Sequence, residues 1–200
     1  LCVHLNPAME LVQDEGDRDF RGGLSTIERL LKAGLRVVVK ETGCGLSGHV
    51  AARVRALGVE YVDVSGAGGT SWVAVETHRA SEQLRPLGQA FWEWGIPTAA
   101  SVALCAQHGF RGIFATGGIQ SGLDIAKAIA PGASAGGIAR RALQAVEAGG
   151  KAGGLAFFDR IESELRATML LTGSRNLKAL AAAPRIITGE LTQWLALAAR

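Results

Sequence analysis

Cysteine is scarce: Cys2, Cys44 and Cys105 are odd in number and widely spaced, which suits neither a disulfide framework nor a metal knuckle. That usage predicts a reducing, cytoplasmic setting. Aromatics are few as well, at 6% of the 200 residues, and no run of five basic residues occurs. A nucleic-acid partner is therefore not expected, because backbone binding needs a basic stripe and strand binding needs stacking platforms. No segment approaches the roughly 18 uninterrupted apolar residues of a membrane span, and no basic-then-apolar leader opens the chain. Excess charge is missing too: 21 Lys and Arg face 18 Asp and Glu, a net +3 that suits an anionic small molecule as well as a solvated surface. The start at Leu1, running directly into a strand-like segment, is the one expected of an incomplete chain.

What is abundant is apolar residues, 48%, and glycine, 27 residues, enough to bury a core whose glycines punctuate tight connections. Short apolar runs at 1–6, 37–40, 59–65, 98–104, 112–116 and 134–139 read as six strands. Between them lie amphipathic or capped segments at 25–32, 47–57, 87–94 and 121–130, which read as helices, with Ser25 and Glu28 in capping-box spacing at the first. Strand and helix in alternation predict a parallel sheet with right-handed crossovers. Polar residues Asn6, Lys40 and Ser65 and the Gly117-Gly118 turn close successive strands. That favours an α/β fold of the (β/α)8 TIM-barrel class, whose site is spread over many strand ends, over a doubly wound sheet with one switch point. Six strands would be about six of the eight. The expected division is a partial barrel over residues 1–148 and a helical segment over 149–200. The latter would start with a flexible 149–154 joint, carry an apolar stripe of Phe158, Ile161, Leu165 and Met169, and end in an Ala- and Leu-rich packing segment over 191–200.

Several positions carry chemistry. Lys40 follows three valines, so its ammonium would leave a buried strand and require an anion, either Glu41 or a cofactor. Gly117-Gly118 before Ser121 and Gly136-Gly137 before Ile138-Ala139 place backbone N–H groups on adjacent strand ends, either as tight turns or as a phosphate site. Glu10 alone reads as a solvated carboxylate, and His4 equally as a structural histidine or as a donor. Glu76 faces Arg79 at helical spacing.

With those residues in view, the chain resembles the type 2, FMN-dependent isopentenyl-diphosphate isomerases. The resemblance is carried by His4-Leu5-Asn6-Pro7 with Glu10, Glu15-Gly16-Asp17-Arg18, Val39-Lys40-Glu41-Thr42-Gly43, Asp63-Val64-Ser65-Gly66-Ala67-Gly68-Gly69-Thr70-Ser71-Trp72, Gly95-Ile96-Pro97-Thr98 and Thr116-Gly117-Gly118-Ile119, in the family's order along most of the chain. It implies an enzyme interconverting isopentenyl and dimethylallyl diphosphate, with reduced FMN as acid and base, NADPH as reductant and Mg2+ on the diphosphate. Position by position, it implies that Lys40, Ser65 and Thr70 hold FMN, that Gly117, Gly118, Ile119, Ile138 and Ala139 contact its phosphate, and that Glu10 binds Mg2+. His4, Asn6 and Glu76 would serve the substrate and its protons. Met9 stands where the family has a glutamine, and a thioether cannot relay a proton. The resemblance also implies a preceding segment with the first two strands, and a homo-oligomer of four or more chains. The alternatives are an FMN-dependent 2-hydroxy-acid oxidase, with His78-Arg79 as its pair, and an inactive nucleotide-binding barrel.

Overall fold

The computed structural model describes residues 1–198; the last two positions of the expected C-terminal packing segment lie outside them. Five strands form one parallel sheet: β1 (Cys2–Leu5), β2 (Val38–Glu41), β3 (Tyr61–Asp63), β4 (Gly112–Ala115) and β5 (Ala135–Gly136). Their order is β1-β2-β3-β4-β5 with no reversal. A doubly wound sheet reverses direction to place helices on both faces, whereas sequential order with one crossover hand places them all on one. Burial agrees. Val39 and Val62 are fully buried and Ile113 nearly so, all on the face that the helices cover. Their strand neighbours Val38, Lys40, Tyr61, Asp63 and Phe114 point the other way and are half-buried. Each buried valine contributes about 1.5–3 kcal/mol relative to exposure, which fixes the register, since a one-residue slip would invert the faces. The fold is α/β of the (β/α)8-barrel class, with an open sheet whose β1 and β5 edges are unpaired among the described residues.

The helices are α1 (Pro7–Glu10), α2 (Gly23–Lys32), α3 (Gly48–Ala56), α4 (Trp72–Arg79), α5 (Arg85–Ala90), α6 (Thr98–Ala106), α7 (Gly122–Ile129), α8 (Arg140–Leu171), α9 (Leu177–Ala182) and α10 (Glu190–Ala198). Ser47, Ser71, Ser121 and Asn176 cap α3, α4, α7 and α9, each side-chain oxygen accepting a backbone N–H from the first turn, a contact worth about 1 kcal/mol.

Four expectations are corrected. Residues 98–104 are helix, not strand, so the described residues supply five strands and not six. The run Ala-Ala-Ser-Val-Ala-Leu is alanine-rich, and a helix buried on all sides shows the same unbroken hydrophobicity as a core strand. Tertiary ties hold it: fully buried Ser101 accepts from Leu46 N at 2.8 Å and donates to Leu46 O at 2.8 Å. Ser25 is not a capping residue. Gly22 occupies that position, Ser25 bonds back to the Gly22 carbonyl, and Glu28 pairs with Lys32 at 2.7 Å. The joint expected over 149–154 is confined to Gly149 and Gly150, the non-helical residues within α8. Phe157, not Phe158, is buried beside Ile161, while Leu165 and Met169 pack on Ala126, Ile129 and Leu180.

Candidate active site

At the carboxyl ends of the strands lies a cleft of about 650 Å3, walled by Lys40, Gly43, Ser65, Gly66, Thr70, Trp72, Thr116, Gly117, Gly118, Ile119, Ile138, Ala139, Arg140 and Arg141 among others. It brings together all eight positions expected to hold a cofactor and its phosphate. Trp72, Arg140 and Arg141 were not anticipated as wall residues. Adjacent arginines directly after the Ile138-Ala139 loop were the available signal for the last two.

Lys40 comes from the end of β2, and its Nζ donates to the Glu41 carbonyl at 2.6 Å. The Glu41 carboxylate is turned away, accepting from Thr42 N at 2.6 Å and from Cys44 N. Burial pushes the Glu41 carboxyl above its usual range, against the opposing pull of those N–H groups and the Lys40 charge. Among the described residues no carboxylate lies within ion-pair distance of Lys40. Of the two partners open to Lys40 in the sequence, Glu41 offers only its carbonyl, and the ammonium keeps donor capacity for an anion in the cleft.

The opposite wall is the turn after β4. Gly117 and Gly118 have φ of 97° and 81°, a region L side chains rarely adopt. A Cβ on Gly117 would lie 2.1 Å from the Gly66 carbonyl, and one on Gly118 2.4 Å from that of Gly68. The two loops thus meet backbone to backbone, leaving a narrow peptide-lined surface where N–H groups can face a phosphate. Thr98 at the start of α6 donates to the Gly117 carbonyl at 2.6 Å, and Gly66 N donates to Thr116 O at 3.0 Å. Ser65 is the non-glycine residue with positive φ, 37°; its carbonyl accepts from Gly43 N at 2.8 Å and Gly45 N at 3.1 Å. The lining holds the kinds of group that a planar anionic mononucleotide requires: the Lys40 cation, the backbone of the two glycine turns, Arg140 and Arg141, and Trp72.

The remaining site candidates stand apart from that cleft. His4, Asn6 and Glu10 form a hydrogen-bonded chain after β1: His4 Nδ1 to Asn6 Oδ1 at 2.9 Å, and Asn6 Nδ2 to Glu10 Oε1 at 2.9 Å. Because Asn6 donates to Glu10 through its amide, its oxygen accepts, so the His4–Asn6 bond is donated by His4 Nδ1. Asp17 N donates to Glu10 Oε2 at 3.0 Å. Arg18 binds the carbonyls of Glu10, Gly16 (2.7 Å) and Gln13 (2.9 Å). No three His, Cys, Asp or Glu residues converge among the described residues. The coordination Glu10 can offer Mg2+ is that of one carboxylate beside water and phosphate oxygens, the arrangement this ion commonly takes. Glu76 is buried on α4 with Arg79 Nη1 at 3.4 Å and faces a different depression with Gln13, Asp14 and Glu15. His78 and Arg79 do not act as a pair: His78 packs edge-on to Trp92, with centroids 5.2 Å apart, while Arg79 turns to Glu76.

An α/β barrel-class sheet with a basic, peptide-lined cleft at its strand ends is the arrangement of cofactor-binding barrels. Residues 11–187 match the family described as FMN-dependent dehydrogenase, and the chain belongs to that family. Its sequence is 42% identical over 98% of its length to an isopentenyl-diphosphate delta-isomerase of Thermococcus onnurineus, and 43% identical over 98% to that of Methanothermobacter thermautotrophicus. It is also 45% identical over 90% to the Bdellovibrio bacteriovorus protein of the same name. The chain spans about half the length of these relatives, 53–55%. Among solved structures it superimposes on a lactate oxidase of Pediococcus acidilactici with TM-score 0.63 at 20% identity, covering 86% of this chain and 42% of that one. A mandelate oxidase gives 0.60 at 21%, covering 83% and 44%. At such identities the likeness is one of fold. No helix among the described residues is long and apolar enough to cross a membrane.

Proposed function

We propose that this chain carries the flavin-holding part of a type 2 isopentenyl-diphosphate delta-isomerase, a cytoplasmic homo-oligomer acting with FMN, NADPH as reductant and Mg2+. The observation that carries the reading is Lys40: a cation without a carboxylate partner among the described residues, lining a cleft of about 650 Å3 together with the Gly117-Gly118 turn. It is supported by the identity of about 42% to isomerases along nearly the whole chain. FMN bound there and reduced would supply both a proton donor and an acceptor for moving the double bond. Lys40 would stabilise negative charge on the ring, Ser65 and Thr70 would orient it, and Gly117 to Ile119 with Ile138 and Ala139 would hold its phosphate, assisted by Arg140 and Arg141. Glu10 would hold Mg2+ on the diphosphate. Asn6 keeps that carboxylate aimed, and His4, bonded to Asn6 through Nδ1, would serve as a donor to the diphosphate or the flavin. Glu76 would act as a proton reservoir only on reaching the cleft, since here it is paired with Arg79. Excluding water protects a cationic hydrocarbon intermediate, a task for the apolar wall around Trp72 and Ile119.

The test is incubation of the full-length protein with isopentenyl diphosphate, FMN, NADPH and Mg2+. Dimethylallyl diphosphate formed only under reducing conditions supports the reading. Oxygen consumption with a 2-hydroxy acid would replace it with an oxidase, and flavin binding without either reaction would leave an inactive barrel.

A further inference from the structure

Lys40 and Asp63 are register partners on adjacent parallel strands, β2 and β3, so their side chains leave the same face of the sheet about 4.8 Å apart at the backbone. Opposite charges so placed would ordinarily pair. They do not: Asp63 Oδ1 accepts from Thr116 Oγ1 at 2.6 Å and from Ser65 N at 3.2 Å, and Lys40 turns to the Glu41 carbonyl. Thr116 comes from the end of β4, the next strand over. It draws the carboxylate sideways, away from β2.

We infer that Thr116 is a positioning residue that holds the Asp63 carboxylate off Lys40 and thereby keeps the Lys40 ammonium available to the anionic form of the bound cofactor. The inference rests on the flavin reading of the cleft. Without the Thr116 hydroxyl, Asp63 retains one longer backbone donor and is free to swing to the ammonium beside it. An internal pair would then cancel the charge that the cleft presents, and reduced, anionic flavin would lose more than the neutral oxidised form. Thr116 also lines the cleft, so the electrostatic effect is told from a lost contact by its reversal on discharging Asp63.

The experiment uses the full-length protein and measures FMN dissociation constants in oxidised and dithionite-reduced states, with the midpoint potential as an independent readout. Thr116→Val is expected to weaken reduced FMN about ten-fold more than oxidised FMN, equivalent to a fall of about 30 mV for a two-electron couple. Thr116→Ser should behave as the parent. Asp63→Asn added to Thr116→Val should restore the potential, since an amide cannot neutralise the ammonium. No selective loss in Thr116→Val, or a loss that Asp63→Asn does not repair, overturns the proposal. Asp63→Asn alone covers the case in which the valine variant fails to fold. It should leave reduced-FMN affinity equal to or tighter than the parent, and a weakening sinks the electrostatic account. If the parent protein itself binds no FMN, the flavin reading of the cleft is what has failed.

Discussion

The loop after β1 and the loops after β2, β3 and β4 are held by different kinds of hydrogen bond. The β1 loop is bonded mostly to itself: Asn6 and Asp17 N hold Glu10, and Arg18 collects the carbonyls of residues 10, 13 and 16. One bond, Ser81 N to Asp14 Oδ2 at 3.2 Å, ties it to another element. The other loops are bonded to one another, Gly43 to Ser65, Gly66 to Thr116 and Thr98 to Gly117. A self-bonded loop, here anchored chiefly by buried Val12 against Val73 and Ala80, shifts with few hydrogen bonds lost, whereas a cross-bonded cradle moves only if several backbone bonds break together. The proposed metal glutamate therefore sits on the adjustable side and the proposed cofactor cradle on the rigid side.

The largest test of that contrast is Gly117→Ala. Positive φ and the 2.1 Å approach to Gly66 O make about 3 kcal/mol of destabilisation the expected cost. Urea unfolding should show it, together with loss of FMN from the refolded protein; unchanged stability would mean the cradle is not rigid. Next, Lys40→Ala should weaken FMN binding about 10- to 100-fold, as expected on losing a charged hydrogen bond. Glu10→Gln should leave FMN affinity unchanged while raising the Mg2+ concentration needed for turnover. Flavin titrations in which both variants lose FMN equally would erase the division between the two regions. A smaller effect, about 1–2 kcal/mol, is expected for Arg18→Ala, because three exposed carbonyls can turn to water. Its signature is faster amide exchange at Asp17 without altered FMN binding.

The smallest effect probes the seam between the regions, where Cys44 lies with Leu5, Pro7 and Ile96, and with Trp194 of α10. Burial, with help from the Glu41 charge, pushes the Cys44 thiol up to about 11, and burial pushes Cys105 to about 12. At pH 8 both are therefore thiols, and reactivity should rise only as pH approaches those values. Mass spectrometry after alkylation should find exposed Cys2 modified first; early labelling of Cys44 would show that the seam opens.

Much of this was legible in the residues. β1 to β3 announced themselves as short apolar runs ending in polar groups, β4 and the glycine-weakened β5 as runs ending at glycine turns, and all eight proposed cofactor positions line one cleft. The misread segment, 98–104, shows the limit: hydrophobic run length cannot tell a buried helix from a buried strand, and the alanine content was the better guide. Likewise the burial of Phe157 in place of Phe158 is a one-residue shift in helical phase, invisible until the partner surface is known.

Alternation and periodicity thus determined the sheet, its parallel sense and the run of polar strand ends, because those follow from each residue's preference and its neighbours in the chain. Only tertiary structure decided which charges meet. Lys40 has Glu41 beside it in sequence and Asp63 beside it in the sheet, yet pairs with neither carboxylate, because backbone N–H groups take the first and Thr116, more than fifty residues away, takes the second. Competition among hydrogen-bond partners is settled in space, and one chain's order along a line does not contain it.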